Sequence, residues 1–245
     1  MQNIRLTIQY DGTRYLGWQK PEKDGAARTV SYKITTALNR MTGEEITLFA
    51  GAKTDPGVHA GSQIINFETA SGLSPEEIMS GLNQYLPLDI SVLSAENASE
   101  RFRADLNAVS RTYECRICTA RIYDVFRRQY ESHCFPAPSV PLMEQAAAFL
   151  LGKHDFRAFS AGRKKKGTEK EILDIDFRQY DDRLVFSITA NDYLQQMPAL
   201  LAGTLLEIGA GRTAPELIAD ILSGKEKAGP SAEAKSLCLT EIKYV

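Results

Sequence analysis

GAKTDPGVHA, residues 51–60, lies between two apolar runs. Gly51, Pro56 and Gly57 oppose regular structure, and Pro56 biases Asp55 away from helical backbone. ITLFA (46–50) leads in and QIINF (63–67) leads out, both with the pattern of buried strands. The decapeptide is therefore expected to join two strands and to carry Lys53, Thr54, Asp55 and His59 on a connection, where functional groups often lie. Asp55 is the carboxylate of interest. It can hold an Asx-turn, or it can act chemically if a basic partner keeps it ionised and an aromatic surface holds a substrate.

Outward from this loop, the first half reads as mixed structure. Residues 3–10 alternate like a strand, and 29–41 carry apolar residues at helical spacing (Val30, Ile34, Ala37, Leu38, Met41). Strands are expected at 46–50 and 62–68. Ser74 followed by Pro75 caps a helix running to 85, and 91–97 is strand-like. The second half repeats the theme. Strands are expected at 111–119, 171–180 and 183–190, helices at 141–152, 197–211 and 215–223, and CLTEIKYV ends the chain as a strand. Gly152 is the expected stop of its helix. Helices mixed with antiparallel strands predict an α+β fold, divided into 1–107 and 108–245.

The 245 residues suffice for one large domain or two small ones, and 43% hydrophobic with 24% charged residues describes a soluble globular chain. No apolar run approaches the ~20 residues of a membrane helix. The N-terminus enters a strand without a signal-like segment, and four cysteines suit a reducing compartment, so a cytoplasmic location is expected. The net charge of −2 argues against a chain that is basic throughout, and leaves any RNA contact to local patches. GRKKKG (162–167) is the densest basic run. ARIYDVFRRQY (120–130) is a second, with Arg121, Arg127 and Arg128. A solvated loop is the plain alternative for both.

Other chemistries find little support. Cys115 and Cys118 form a C-x-x-C, but in a strand an i,i+3 pair points to opposite faces, and no second pair completes a zinc set. His59, His133 and His154 lack ligand spacing. No nucleophile elbow, Walker A or dinucleotide fingerprint occurs. Gly209 to Gly211 suits a helix C-cap better than a phosphate loop.

YDGTRYLGWQ (10–19) together with GAKTDPGVHA resembles the paired N-terminal signature of the tRNA pseudouridine synthase A family, YDGxxYxGWQ and GRTDxGVHA. The likeness continues in order. SRTYECRI (110–117) resembles the RxYxY strand, and LLGKHDFRAFSA (150–161) the GxHDFxxF motif. NDYLQQMPALLAGTLLEIGAG (191–211) resembles FLxxMVRxxVGTLLEVGxG, and AGPSAEAKSLCLTEIKYV the family terminus. This resemblance implies two α/β-sandwich halves sharing an extended antiparallel sheet, with an RNA-binding cleft between them. It implies a homodimer acting on tRNA without metal or organic cofactor, and isomerisation of uridine to pseudouridine in the anticodon stem-loop at positions 38–40. Asp55 matches the catalytic carboxylate. Tyr113 matches the tyrosine that stacks on the extruded base and serves in proton transfer. Arg14, Arg111 and the loop Gly57, Val58, His59 would contact substrate, with Arg163, Lys164 and Lys165 supplying a basic surface.

The chain departs from these motifs at charged positions. The arginine of GRTD is Lys53, which keeps the charge and loses the bidentate fork. The arginine of MVR is matched by Ala199, after Pro198. Family arginines are matched by Glu171 and Asp105, the terminal motif carries Glu233 and Ser236, and a helix-start glutamine is Ser31. Two readings follow. In the first, the chain is a working isomerase in which Lys53 reaches Asp55 and serves for the lost arginines. In the second, it is a paralogue that keeps the fold and binds RNA or a partner without efficient catalysis.

Overall fold

The computed structural model describes residues 1–19, 25–162 and 166–245. In chain order the first elements are β1 (Gln2–Tyr10), α1 (Val30–Thr42), β2 (Phe49–Ala50), β3 (His59–Thr69), α2 (Pro75–Tyr85) and β4 (Ile90–Ala98). Then come β5 (Ala108–Cys118), β6 (Ser132–His133), α3 (Val140–Leu150), β7 (Gly152–Asp155), β8 (Glu169–Gln179) and β9 (Arg183–Ala190). Last are α4 (Met197–Gly209), α5 (Leu217–Leu222) and β10 (Leu237–Tyr244). The chain forms two compact units, 1–109 with 239–245, and 110–238. The C-terminal segment thus belongs to the first unit, in contrast to an uninterrupted 108–245. Both units are α+β.

In the first unit, β1 lies antiparallel between β3 and β4, β2 pairs with β3, and β10 follows β3 in strand order. Alternation along β1 buries Ile4, Leu6, Ile8 and Tyr10. Helix α1 starts at the Thr29 cap, stops at left-handed Gly43, and buries Ile34 and Leu38. Helix α2 opens with a capping box between Ser74 and Glu77, has Pro75 in its first turn, and buries Ile78 and Leu82. Each such buried aliphatic contributes about 1.5–3 kcal/mol. A buried amide pair adds a polar staple. Asn3 donates to the Ser99 and Phe102 carbonyls (2.8 and 2.9 Å), and Asn66 accepts from the Ala104 N–H (2.8 Å).

In the second unit β5, β9, β8 and β7 follow one another antiparallel, while β6 runs parallel to β5. Helix α4 is apolar on nearly every side and buries Met197, Leu201, Ala202, Leu205 and Ile208, so it is the central helix, with α3 packed on it.

Two expectations are corrected here, and two short strands are additional to those expected. The strand at 46–50 is reduced to its last two residues, because the Asn39 side chain at the end of α1 takes the Ile46 N–H (2.9 Å) out of any ladder. The helix at 141–152 ends at Leu150, and Gly152, at φ 90°, opens β7 instead of closing the helix. The short strands β6 and β7 lack the alternation that announces a strand.

Candidate active site

The loop that carries Asp55 is held from several sides. Gln63, fully buried on β3, accepts from the Ala52 N–H (3.2 Å) and donates to the Ala52 carbonyl (2.8 Å), so one side chain replaces a strand partner. Tyr10 Oη lies 2.8 Å from Thr54 Oγ1. The Trp18 N–H donates to the Thr54 carbonyl (3.0 Å) and the Gly57 N–H to the Tyr15 carbonyl (3.2 Å). A turn closes when the Val58 N–H reaches the Asp55 carbonyl (3.2 Å). Pro56 and Gly57, the latter at φ 80°, occupy the turn positions that favour proline and require positive φ. Asp55 stands half-buried at the corner.

Residues 10–19 press against this loop. A Cβ on Gly12 would lie 2.0 Å from the Val58 carbonyl oxygen, and one on Gly17 would lie 2.6 Å from that of Thr54. Only glycine permits either approach. Asp11 caps a short 3-10 turn over Gly12–Arg14, accepting from the Thr13 N–H and hydroxyl (2.9 and 2.6 Å). His59 Nδ1 accepts from the Gly12 N–H (3.0 Å), and lies 3.2 Å from Asp11 Oδ1. His59 is 6% exposed, so its geometry is that of a fastener between the two segments.

Lys53 is exposed, and among the described residues it enters no ion pair. The expectation that its ammonium reaches Asp55 is not met. Ala52 and Thr54 face inward, which turns Lys53 to water, where an ion pair is worth about 1 kcal/mol or less. Arg14 is 83% exposed and only 3.8 Å from Asp89, whose other oxygen accepts from the Tyr15 hydroxyl at 2.5 Å. Burial, and then the Asp89 carboxylate, push the Tyr15 phenol above the usual tyrosine range.

In the second unit, Arg111 and Tyr113 are buried on β5. Tyr113 meets Tyr193 edge-on, with ring centroids 5.0 Å apart. Arg111 donates to the Asn191 carbonyl (2.6 Å) and lies 3.8 Å from Asp192, which Lys170 pairs at 2.5 Å. Tyr193 donates to the Ile188 carbonyl (2.6 Å), and burial raises its phenol pKa. Lys170, Asp192 and Tyr193 are not among the expected site residues. The NDY of the motif at 191–193 is the signal that could have found two of them. Where a family arginine is matched by Glu171, the cation of this cluster is the preceding residue, Lys170. Arg163, Lys164 and Lys165 lie outside the described residues.

The other departures have local roles. Asp105 forms a two-pronged pair with Arg103 (3.0 and 3.0 Å), whose guanidinium covers the Phe49 ring at 3.5 Å. Ala199 sits in the first turn of α4, and its carbonyl accepts from the Ala232 N–H (2.8 Å). Glu233 pairs with Lys235 (2.7 Å). Ser236 donates to the Glu233 carbonyl (2.7 Å) and touches Cys115 Sγ (3.5 Å). Burial pushes the Cys115 thiol up to about 12, so it is inert. Among the described residues no group of three or more His, Cys, Asp or Glu could hold a metal ion. No described helix is long and apolar enough to cross a membrane.

Residues 146–245 match the family model described as tRNA pseudouridine synthase. The whole chain is 40% identical to tRNA pseudouridine synthase A of Moorella thermoacetica, covering 100% of both. It is 35% identical to tRNA pseudouridine synthase A 2 of Clostridium tetani over 99% of each, and 35% to that of Bacillus anthracis over 100% of each. The chain belongs to the tRNA pseudouridine synthase A family. Among solved structures it aligns with 49% of a chain in the crystal structure of a Cbf5-Nop10-Gar1 complex, a distant likeness at 10% identity and TM-score 0.37. In this member of the tRNA pseudouridine synthase A family, the two N-terminal motifs are one interlocked object, with Asp55 at its turn.

Proposed function

We propose that this chain isomerises uridine to pseudouridine in tRNA, with Asp55 as the acting carboxylate. The observation that carries the reading is the 40% identity over the full length of a tRNA pseudouridine synthase A. The locked turn around Asp55 supports it, because a group that acts on a reacting centre must be held in place. In the proposed reaction the N1–C1′ bond breaks, the freed uracil turns, and C5 bonds to C1′. C5 loses a proton and N1 gains one, so no co-reactant is consumed. Asp55 acts at the glycosidic centre as nucleophile or base. Tyr113 stacks on the extruded base and assists proton transfer. Lys53, hydrated in the free chain, gains electrostatic weight when bound RNA excludes water. Arg14, Arg111 and the 163–165 run bind the substrate, and Gly57, Val58 and His59 shape the wall of the site. The target is the anticodon stem-loop at positions 38–40, and the working form is a cytoplasmic homodimer.

Unmodified tRNA transcripts incubated with the purified protein and mapped for pseudouridine test this. New pseudouridine in the anticodon arm, absent with Asp55→Ala, is expected. Several tRNAs that bind a folded protein yet stay unmodified would overturn it and assign the chain to the RNA-binding paralogue.

A further inference from the structure

The basic run at 120–130 has no part in the site described above. It is not a loose loop. Asp124 takes the Phe126 N–H on its carboxylate (2.9 Å), and its carbonyl accepts from the Arg127 N–H (3.1 Å). Arg127 is tied to Asp124 and to Asp182 beyond β8, each at 3.2 Å. Tyr123 donates to the Glu131 carbonyl (2.6 Å) and stacks on His133 with centroids 4.9 Å apart. Glu131, 4% exposed, pairs with Arg183 (3.0 Å), and this anchors the end of the loop.

On this anchored frame the apolar side chains point the wrong way for a core. Phe126 is 89% exposed, Ile122 85% and Val125 58%. Single exposed hydrophobics need no explanation, but several large ones on one ordered loop mark a contact surface. The charges identify the partner. Two acids beside the loop, Asp124 and Asp182, are taken up by Arg127. Arg121 and Arg128 lie on the same loop as Phe126, are exposed, and among the described residues have no acidic partner. Arg128 only donates to the Val125 carbonyl (2.9 Å), which holds it beside the apolar tip. An exposed ring on a loop that also carries two exposed guanidinium groups suits an unpaired base and its flanking phosphates, because the ring stacks and the cations replace counterions.

We propose that loop 121–130 is an RNA platform, on which Phe126 stacks against an unpaired nucleotide and Arg121 and Arg128 hold adjacent phosphates. It rests on the reading that tRNA is the substrate. It adds a contact in the second unit that the motifs around Asp55 do not contain.

The test is tRNA affinity of the full chain at fixed salt. Phe126→Ala is expected to raise Kd about 5- to 100-fold, with Phe126→Tyr staying near the parent. Arg121→Ala with Arg128→Ala should flatten the slope of log K against log salt by about 1.4–1.8. A fully paired RNA duplex should not distinguish Phe126→Ala from the parent. Unchanged tRNA affinity in folded Phe126→Ala overturns the proposal. So does sedimentation in which Phe126→Ala splits a dimer while tRNA affinity per chain holds, which would assign the loop to a second copy. Pseudouridine formation by the parent is scored separately. A parent that makes no product but binds tRNA through Phe126 leaves the platform standing and overturns the proposed reaction.

Discussion

At the residue scale, the position of Asp55 depends on atoms that are missing as much as on those present. The Gly12 Cα faces the Val58 carbonyl so closely that a methyl group cannot fit, since its carbon would sit 2.0 Å from that oxygen. The obstacle is backbone at the end of the Asp55 turn, which cannot swing aside like a side chain. Gly12→Ala is therefore expected to cost about 1–3 kcal/mol in urea unfolding, and to lower turnover more than the stability loss explains. Wild-type turnover in Gly12→Ala would mean that the turn is not what positions Asp55. Tyr15 gives a pH prediction. Its folded pKa is raised above the unfolded 10.0, first by burial and then by Asp89. The neutral phenol is the form the fold prefers, so its contribution is whole below the unfolded value. It is lost as pH rises above it, when the unfolded chain ionises first. Between about pH 9 and about pH 11 the parent should lose more stability than Tyr15→Phe, and parallel urea midpoints for the two would contradict this.

At the element scale, the terminal motif AGPS lies across α4 because α4 offers it small residues. A Cβ on Gly203 would meet the Pro230 carbonyl oxygen at 1.8 Å, and the Thr204 hydroxyl accepts from the Gly229 N–H (3.0 Å). Gly203→Ala must lift the 229–232 segment, although alanine is the better helix former. The clash should win, with a net loss of about 2 kcal/mol. A gain in stability would show that the segment gives way freely. This element also shows what is readable in advance. The apolar content of 197–211 and the glycines at its end declare a helix, and Ser74 with Pro75 declares the start of α2, since caps and periodicity are local. The Asp55 turn is readable for the same reason, from Pro56 and Gly57. Asn39 reaching Ile46, Gln63 standing in for a strand opposite Ala52, and Tyr10 meeting Thr54 are not readable. Each joins two segments through a side chain whose type does not announce its partner. The expected Lys53–Asp55 pair fails for a related reason. Closeness in sequence does not bring side chains together, and the burial of Ala52 and Thr54 turns Lys53 outward.

At the scale of the whole molecule, the C-terminal segment completes the N-terminal unit, so the two ends of the chain depend on each other for folding. Tyr244 shows how. Its hydroxyl donates to the Ala104 carbonyl (3.0 Å), and its ring lies 5.1 Å from that of Phe102. The Arg5 guanidinium covers the Tyr244 ring at 5.2 Å. The same hydroxyl occupies the space a side chain on Gly51 would need, 2.3 Å from where a Cβ would lie, so the first residue of the Asp55 loop is walled by the last strand. Tyr244→Ala removes a half-buried ring, a hydrogen bond and a cation–π contact together. The expected cost is about 2 kcal/mol, less than deletion of a fully buried aromatic. The location of the damage is the sharper test. Hydrogen exchange should quicken in peptides covering 49–54 and 99–106, in the first unit, and stay unchanged in β8 and β9, which are nearer to Tyr244 in sequence. Loosening of Gly51 should also lower the rate of pseudouridine formation. Exchange that quickens in β8 and β9 while 99–106 stays protected would show that the C-terminal strand supports the second unit instead, and that the Asp55 loop does not depend on it.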